Sequence, residues 1–256
     1  MSIYFLIFLV LAVFTLYALY RSRKRKPDSF PKHWHSILVK EVEFYSVLNV
    51  KEQLRFQQRM MQFLSEVYID SVNFEINEID KILVASSAVI PVFAFQDWHY
   101  TTLSGIILYP DYFNEDFEFS DKSKPKRIAG VVGSGRLEGK MILSRKALYH
   151  GFKNDNDGRN TAIHEFVHLI DKMDESVDGI PEILIKNSYT IPWLNLIHRE
   201  MNNITNNKSK LRAYGATSQA EFFAVASEYF FERPERLKKE HPELFNILSE
   251  SFKVKS

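Results

Sequence analysis

Residues 160–171 read Asn160-Thr161-Ala162-Ile163-His164-Glu165-Phe166-Val167-His168-Leu169-Ile170-Asp171. His164 to His168 spell H-E-x-x-H, and the spacing carries the chemistry. On an α-helix, residues four apart share a face, so His164 and His168 can offer two imidazoles to one metal ion. Glu165 follows the first histidine, where its carboxylate can hold a water at the metal and take its proton. Asn160 and Thr161 suit a helix start. Ala162, Ile163, Phe166, Val167, Leu169 and Ile170 are apolar and bury such a helix deeply. The plain alternative is a buried helix whose two histidines are only hydrogen-bonded. Residue frequency alone produces the motif in roughly one or two per cent of chains this long, so it needs support from elsewhere.

That support lies downstream, in Tyr214-Gly215-Ala216-Thr217-Ser218-Gln219-Ala220-Glu221-Phe222-Phe223-Ala224-Val225-Ala226-Ser227-Glu228. Ser218 is a good N-cap, and Glu221 falls at the third helical position, where a capping-box carboxylate also belongs. Glu228 is seven residues on and shares its face. The helix is otherwise apolar almost all round, hence buried. Buried carboxylates without partners are costly, so at least one must meet a metal or a cation. The two lie about 10 Å apart along the axis at ~1.5 Å per residue, so one ion cannot be bound by both. Spacing leaves open which of them is the ligand. Asp171, three residues after His168, is either an imidazole's hydrogen-bond partner or an ordinary helix-end carboxylate.

Upstream, residues 33–95 read as helical. Asn49 to Glu52 resembles a capping box. Leu54, Met60, Met61, Phe63, Leu64 and Val67 recur at helical spacing after it, as ordinary core. A second helical segment runs from Asn77 to Ile90 and is disturbed by Pro91. Ser104 to Pro110 is a short β-like run. Arg127 to Val132 and Lys140 to Leu143 read as the two strands of a hairpin, with Gly133, Gly135 and Gly139 in the turn region. The acidic residues from Glu115 to Asp121 read as a solvated loop. A further helix is expected from Ile191 to Ile204.

The 256 residues contain no cysteine, which excludes disulfides and thiolate-bound metal. Residues 1–20 carry no charge and are long enough to span a bilayer. Arg21, Arg23, Lys24, Arg25 and Lys26 follow. A cleaved signal would carry its positive charge before the apolar run and a small-residue site after it. The observed order predicts an uncleaved, single-pass membrane anchor with the remainder in the cytoplasm. The net charge of +1 hides a split. Without residues 1–26, which hold five basic and no acidic residues, 28 basic face 32 acidic ones, a net of −4. That argues against nucleic-acid binding.

The segments IHEFVHLID and YGATSQAEFFAVASEYFF resemble the Mlc titration factor A family of zinc metallopeptidases. LSGIILYPDYF, GKMILS and GIPEIL fit the same pattern, and the resemblance extends from about Phe30 to Phe245. The family is similar in its catalytic core to anthrax lethal factor. The resemblance implies His164 and His168 as zinc ligands, Glu165 as base, and Glu221 as third ligand. It implies Tyr214 as proton donor or oxyanion stabiliser. It further implies aminopeptidase-like activity on small substrates and binding of Mlc, a transcriptional repressor of sugar uptake. The anchor departs from the family's soluble pattern.

The expected architecture is therefore α+β. An anchor with its basic flank occupies 1–26, a small helical domain 27–95, and a zincin-like metallopeptidase domain with a small mixed sheet 96–256. The expected cofactor is Zn2+ and the expected partner a peptide or protein substrate. The rival reading is a membrane-tethered binding module that sequesters a regulator, with zinc mainly structural. Glu165 separates the two, since catalysis needs it and a structural site does not.

Overall fold

The computed structural model describes residues 27–253 apart from 115–116, 118–127, 134, 154–156, 175–177 and 182–189, together with a few of the first twelve residues. Four helices and a strand come first: α1 (Trp34–Glu41), α2 (Glu43–Ser46), α3 (Val50–Glu66), β1 (Tyr68–Ser71) and α4 (Glu78–Val89). Asn49 and Glu52 form a reciprocal capping box at the start of α3, and Asn77 and Asp80 form another at α4. The buried face of α3 runs through Phe56, Met60 and Phe63, while Leu54, expected in the core, is 54% exposed. Arg59, on the same helix, is buried because its guanidinium donates to the carbonyls of Val92, Phe93 and Phe95. Those carbonyls follow α4, where Pro91 has ended the helical ladder.

Strand β1 lies inside the segment expected to be wholly helical. It is four residues long, too short for its pattern to stand out against the helices around it. It pairs in parallel with β2 (Gly105–Tyr109), so segment 27–95 contributes a strand to the sheet. The sheet order is β1-β2-β4-β3, with β3 at Gly130–Val132 and β4 at Lys140–Ser144. Strands β2 and β4 are parallel, while β3 and β4 form the expected antiparallel pair. β3 is thus an edge strand.

The chain continues through α5 (Arg145–Lys153), α6 (Thr161–Asp171), α7 (Thr190–Thr205), α8 (Gln219–Glu232), α9 (Pro234–Glu240) and α10 (Pro242–Ser251). Helix α6 carries the H-E-x-x-H residues and is buried along most of its length. Phe166 anchors it, its ring 5.6 Å from that of Phe63 and 5.1 Å from that of Tyr100. Burial of such a ring stabilises by about 1.5–3 kcal/mol. Helix α8 packs directly on α6. One apolar cluster runs through the molecule from Trp34 to Phe252. Among the described residues no helix is long and apolar enough to cross a membrane. The anchor expected at residues 1–20 lies almost wholly outside the described residues, as does most of the acidic loop after Asn114.

Candidate metal centre

Helix α6 is started by Asn160, whose Oδ1 accepts the Ile163 N–H at 3.1 Å. That cap fixes the first turn and sets His164 and His168 one above the other, their ring centroids 4.7 Å apart. Helix α8 is started by Ser218, whose Oγ accepts the Glu221 N–H at 3.1 Å. The cap engages the backbone of Glu221 and leaves its carboxylate to the histidines. Glu221 Oε2 lies 3.0 Å from His164 Nε2 and 3.5 Å from His168 Nε2. The two Nε2 atoms are 3.1 Å apart.

These three atoms form a triangle whose edges suit one ion. Donors placed ~2.0–2.1 Å from a tetrahedral metal stand about 3.3 Å from each other. Among the described residues this is the one group of three or more histidine and carboxylate side chains whose ligand atoms converge in this way. Burial would lower the pKa of His164, but the Glu228 and Glu221 carboxylates outweigh burial and hold it up at about 10. Burial would raise the Glu221 carboxyl, and its hydrogen bonds to His164 and His168 outweigh that and depress it.

Glu228, only 1% exposed, supports the centre from behind. Its Oε2 lies 3.1 Å from His164 Nδ1, its Oε1 accepts the Asn160 N–H at 2.8 Å, and the Arg212 guanidinium donates to it. With Nδ1–H donated to Glu228, a neutral His164 would turn its Nε2 lone pair toward Glu221 and His168, as metal ligation requires. Asp171, which the sequence offered as an imidazole partner, accepts the Gly179 N–H with Oδ2 at 2.9 Å. Arg212 was not singled out in the sequence. The signal was there in the need of a buried Glu228 for a cation.

Glu165 is 6% exposed beside the histidines. Burial pushes its pKa up, His164 and His168 oppose the rise, and Glu221 and Glu228 add to it. Its side chain lies against Gly130 of β3, where an added Cβ would come within 2.8 Å of Glu165 Cγ. A glycine inside a strand often marks such an approach, so Gly130 was legible in principle. Tyr214 sits on the short 3-10 turn Ala213–Ala216, half exposed, with its ring 6.1 Å from that of His164. Burial and the Glu221 carboxylate push its hydroxyl up to about 12, so it stays protonated at neutral pH. The structure thus brings His164, Glu165, His168, Tyr214 and Glu221 to one cleft of about 320 Å³, walled by residues 130–133 and by Lys172. Lys172 Nζ is held by Glu138 at 2.6 Å.

A model of the glucose-regulated metallo-peptidase M90 family matches residues 17–253. The chain belongs to that family. Relatives carry the name Mlc titration factor A. The one from Enterobacter sp. is 28% identical over 237 residues, covering 88% of this chain and 87% of the relative. The one from Serratia proteamaculans is 33% identical over 158 residues, covering 58% of this chain and 59% of the relative. An uncharacterized protein of Synechocystis sp. is 26% identical over 242 residues, covering 91% of this chain and 88% of the relative. In this M90 metallopeptidase-like chain, a two-histidine, one-carboxylate donor set facing an open cleft fits a metal ion that keeps a position free for water or substrate.

Proposed function

We propose that the chain is a zinc-dependent peptidase that cleaves small peptides in an aminopeptidase-like manner. The convergence of His164 Nε2, His168 Nε2 and Glu221 Oε2 within 3.5 Å of one another carries the reading. Nitrogen and oxygen donors without thiolates suit zinc in a catalytic setting. Bound zinc supplies Lewis acidity toward the substrate carbonyl and makes its water more acidic. Glu165 takes the proton of the attacking water, and its raised pKa brings it closer to neutral pH, where a general base works best. It then returns that proton to the leaving amine. The Tyr214 hydroxyl, still protonated, donates to the carbonyl oxygen as negative charge develops there. Glu228 keeps His164 in the tautomer that ligates.

The uncharged run 1–20 and the basic residues behind it favour a membrane anchor with the peptidase facing the cytoplasm. The test of activity is cleavage of a peptide library by the full chain alongside metal analysis. Cleavage should vanish on chelation and return with one zinc per chain. A metal-loaded protein that cleaves nothing would favour a second reading, a tethered binding protein, which the relatives' name of Mlc titration factor also supports.

A further inference from the structure

Beside the start of α6, lined by Asn160 and Ile163 and by none of the metal donors, lies a second cavity of about 340 Å³. Phe44, Ile90, Phe152, Ile163, Phe230 and Phe231 give it a largely apolar wall. Protein interiors rarely leave voids larger than a water molecule, and an apolar cavity of roughly 150 Å³ already takes a benzene-sized guest. The cavity reaches the surface at Val47, which is 76% exposed. Three carboxylate-bearing residues, Glu41, Glu43 and Glu232, also line it, and among the described residues no lysine, arginine or histidine does. Glu41 is paired with Lys40 at 2.8 Å. Glu232 Oε2 accepts the Arg159 N–H at 3.2 Å.

We propose that this cavity is a second ligand site that takes an amphipathic cation, a small apolar body with a protonated amine turned toward Glu232. Shape selects the apolar body, and Glu232, once ionised, selects the amine over a neutral or acidic head group. Burial pushes the Glu232 carboxyl up to about 8, the Asn160 hydrogen bond opposes this, and the Glu228 and Asp157 carboxylates reinforce it. An ammonium group beside Glu232 would relieve that condition. Occupancy also reaches the metal centre. Glu232 lies one turn beyond Glu228 on α8, and Asn160 lines the cavity while its N–H holds Glu228 Oε1 at 2.8 Å. The site is therefore placed to tune the His164 environment without entering the peptide cleft.

Calorimetric titration of the metal-loaded full chain with phenylbutylamine, phenylbutanol and phenylbutyrate tests the site. The amine should bind about tenfold more tightly than the alcohol, a difference of about 1.4 kcal/mol, and the acid not measurably. Glu232→Gln should erase the amine's advantage and keep the alcohol's affinity. Val47→Trp, at an exposed position that leaves the core intact, should block all binding while peptide cleavage continues unchanged. Equal binding of acid and amine would overturn the proposal. So would amine binding that survives Val47→Trp and disappears with the metal, which would place the amine in the peptide cleft.

Discussion

Among the described residues, two histidine–glutamate clusters stand largely out of solvent, and their difference shows what a candidate metal centre requires. At one, His164, His168 and Glu221 aim three ligand atoms at a common point in an open cleft. At the other, His241 Nδ1 meets Glu200 Oε2 at 2.9 Å, with both side chains 9% exposed, and Ser209 Oγ lies 3.4 Å from His241 Nε2. That pair ties α7 to the start of α10. It has one imidazole and one carboxylate, and two donors make a tie where three make a socket. Burial and the presence of a histidine do not distinguish the two places. Convergence does, and it comes from two capped helix starts, α6 at Asn160 and α8 at Ser218, packed against each other.

The comparison breaks first at Glu165. Glu165→Gln keeps all three donors and should retain metal, yet lose peptide hydrolysis by about 10³-fold, within the range of general acid–base catalysis. Steady-state kinetics on metal-loaded protein measure it, and wild-type turnover would remove Glu165 from the chemistry. Next comes Glu228→Ala, which leaves the donors in place but frees His164 Nδ1. Metal affinity should fall by about 10–100-fold, as read by competition with a chromophoric chelator. A smaller effect is expected at Gly130. An added methyl must displace the Glu165 side chain, and Gly130→Ala should lower kcat by about tenfold with metal content unchanged.

The smallest effect belongs to the second cluster. Glu200→Gln should leave metal and hydrolysis untouched and cost about 1 kcal/mol of stability at neutral pH. Its pH dependence has a definite sign. The close contact with His241 lowers the Glu200 carboxyl below its usual value of 4.5. The contribution is therefore present above that value and is lost as pH falls through the lower, folded value. Acid unfolding curves of wild type and Glu200→Gln should converge there.

Local rules made much of this legible. Asn49, Asn160 and Ser218 each cap the helix that their sequence context announces, and the β3–β4 hairpin follows from its glycines and strand composition. What stayed hidden depends on partners distant in sequence. Strand β1 is set by its pairing with β2, about 37 residues away, and four residues carry too little periodicity to reveal that. Leu54 fits the helical spacing, yet the surface that packs on α3 faces Phe56, Met60 and Phe63. Spacing could not choose between Glu221 as cap and Glu221 as metal-facing carboxylate. Ser218 takes only its backbone N–H, and the histidines that meet its carboxylate lie on another helix.

The claim that Glu221 is the third ligand is tested most directly by zinc stoichiometry in Glu221→Ala beside Ser218→Ala. Ser218→Ala should lower stability by about 1 kcal/mol, the worth of an N-cap, and still bind one zinc per chain. Glu221→Ala should fold and lose the metal. A fully loaded Glu221→Ala protein would contradict the account and leave Glu221 outside the metal's ligand set.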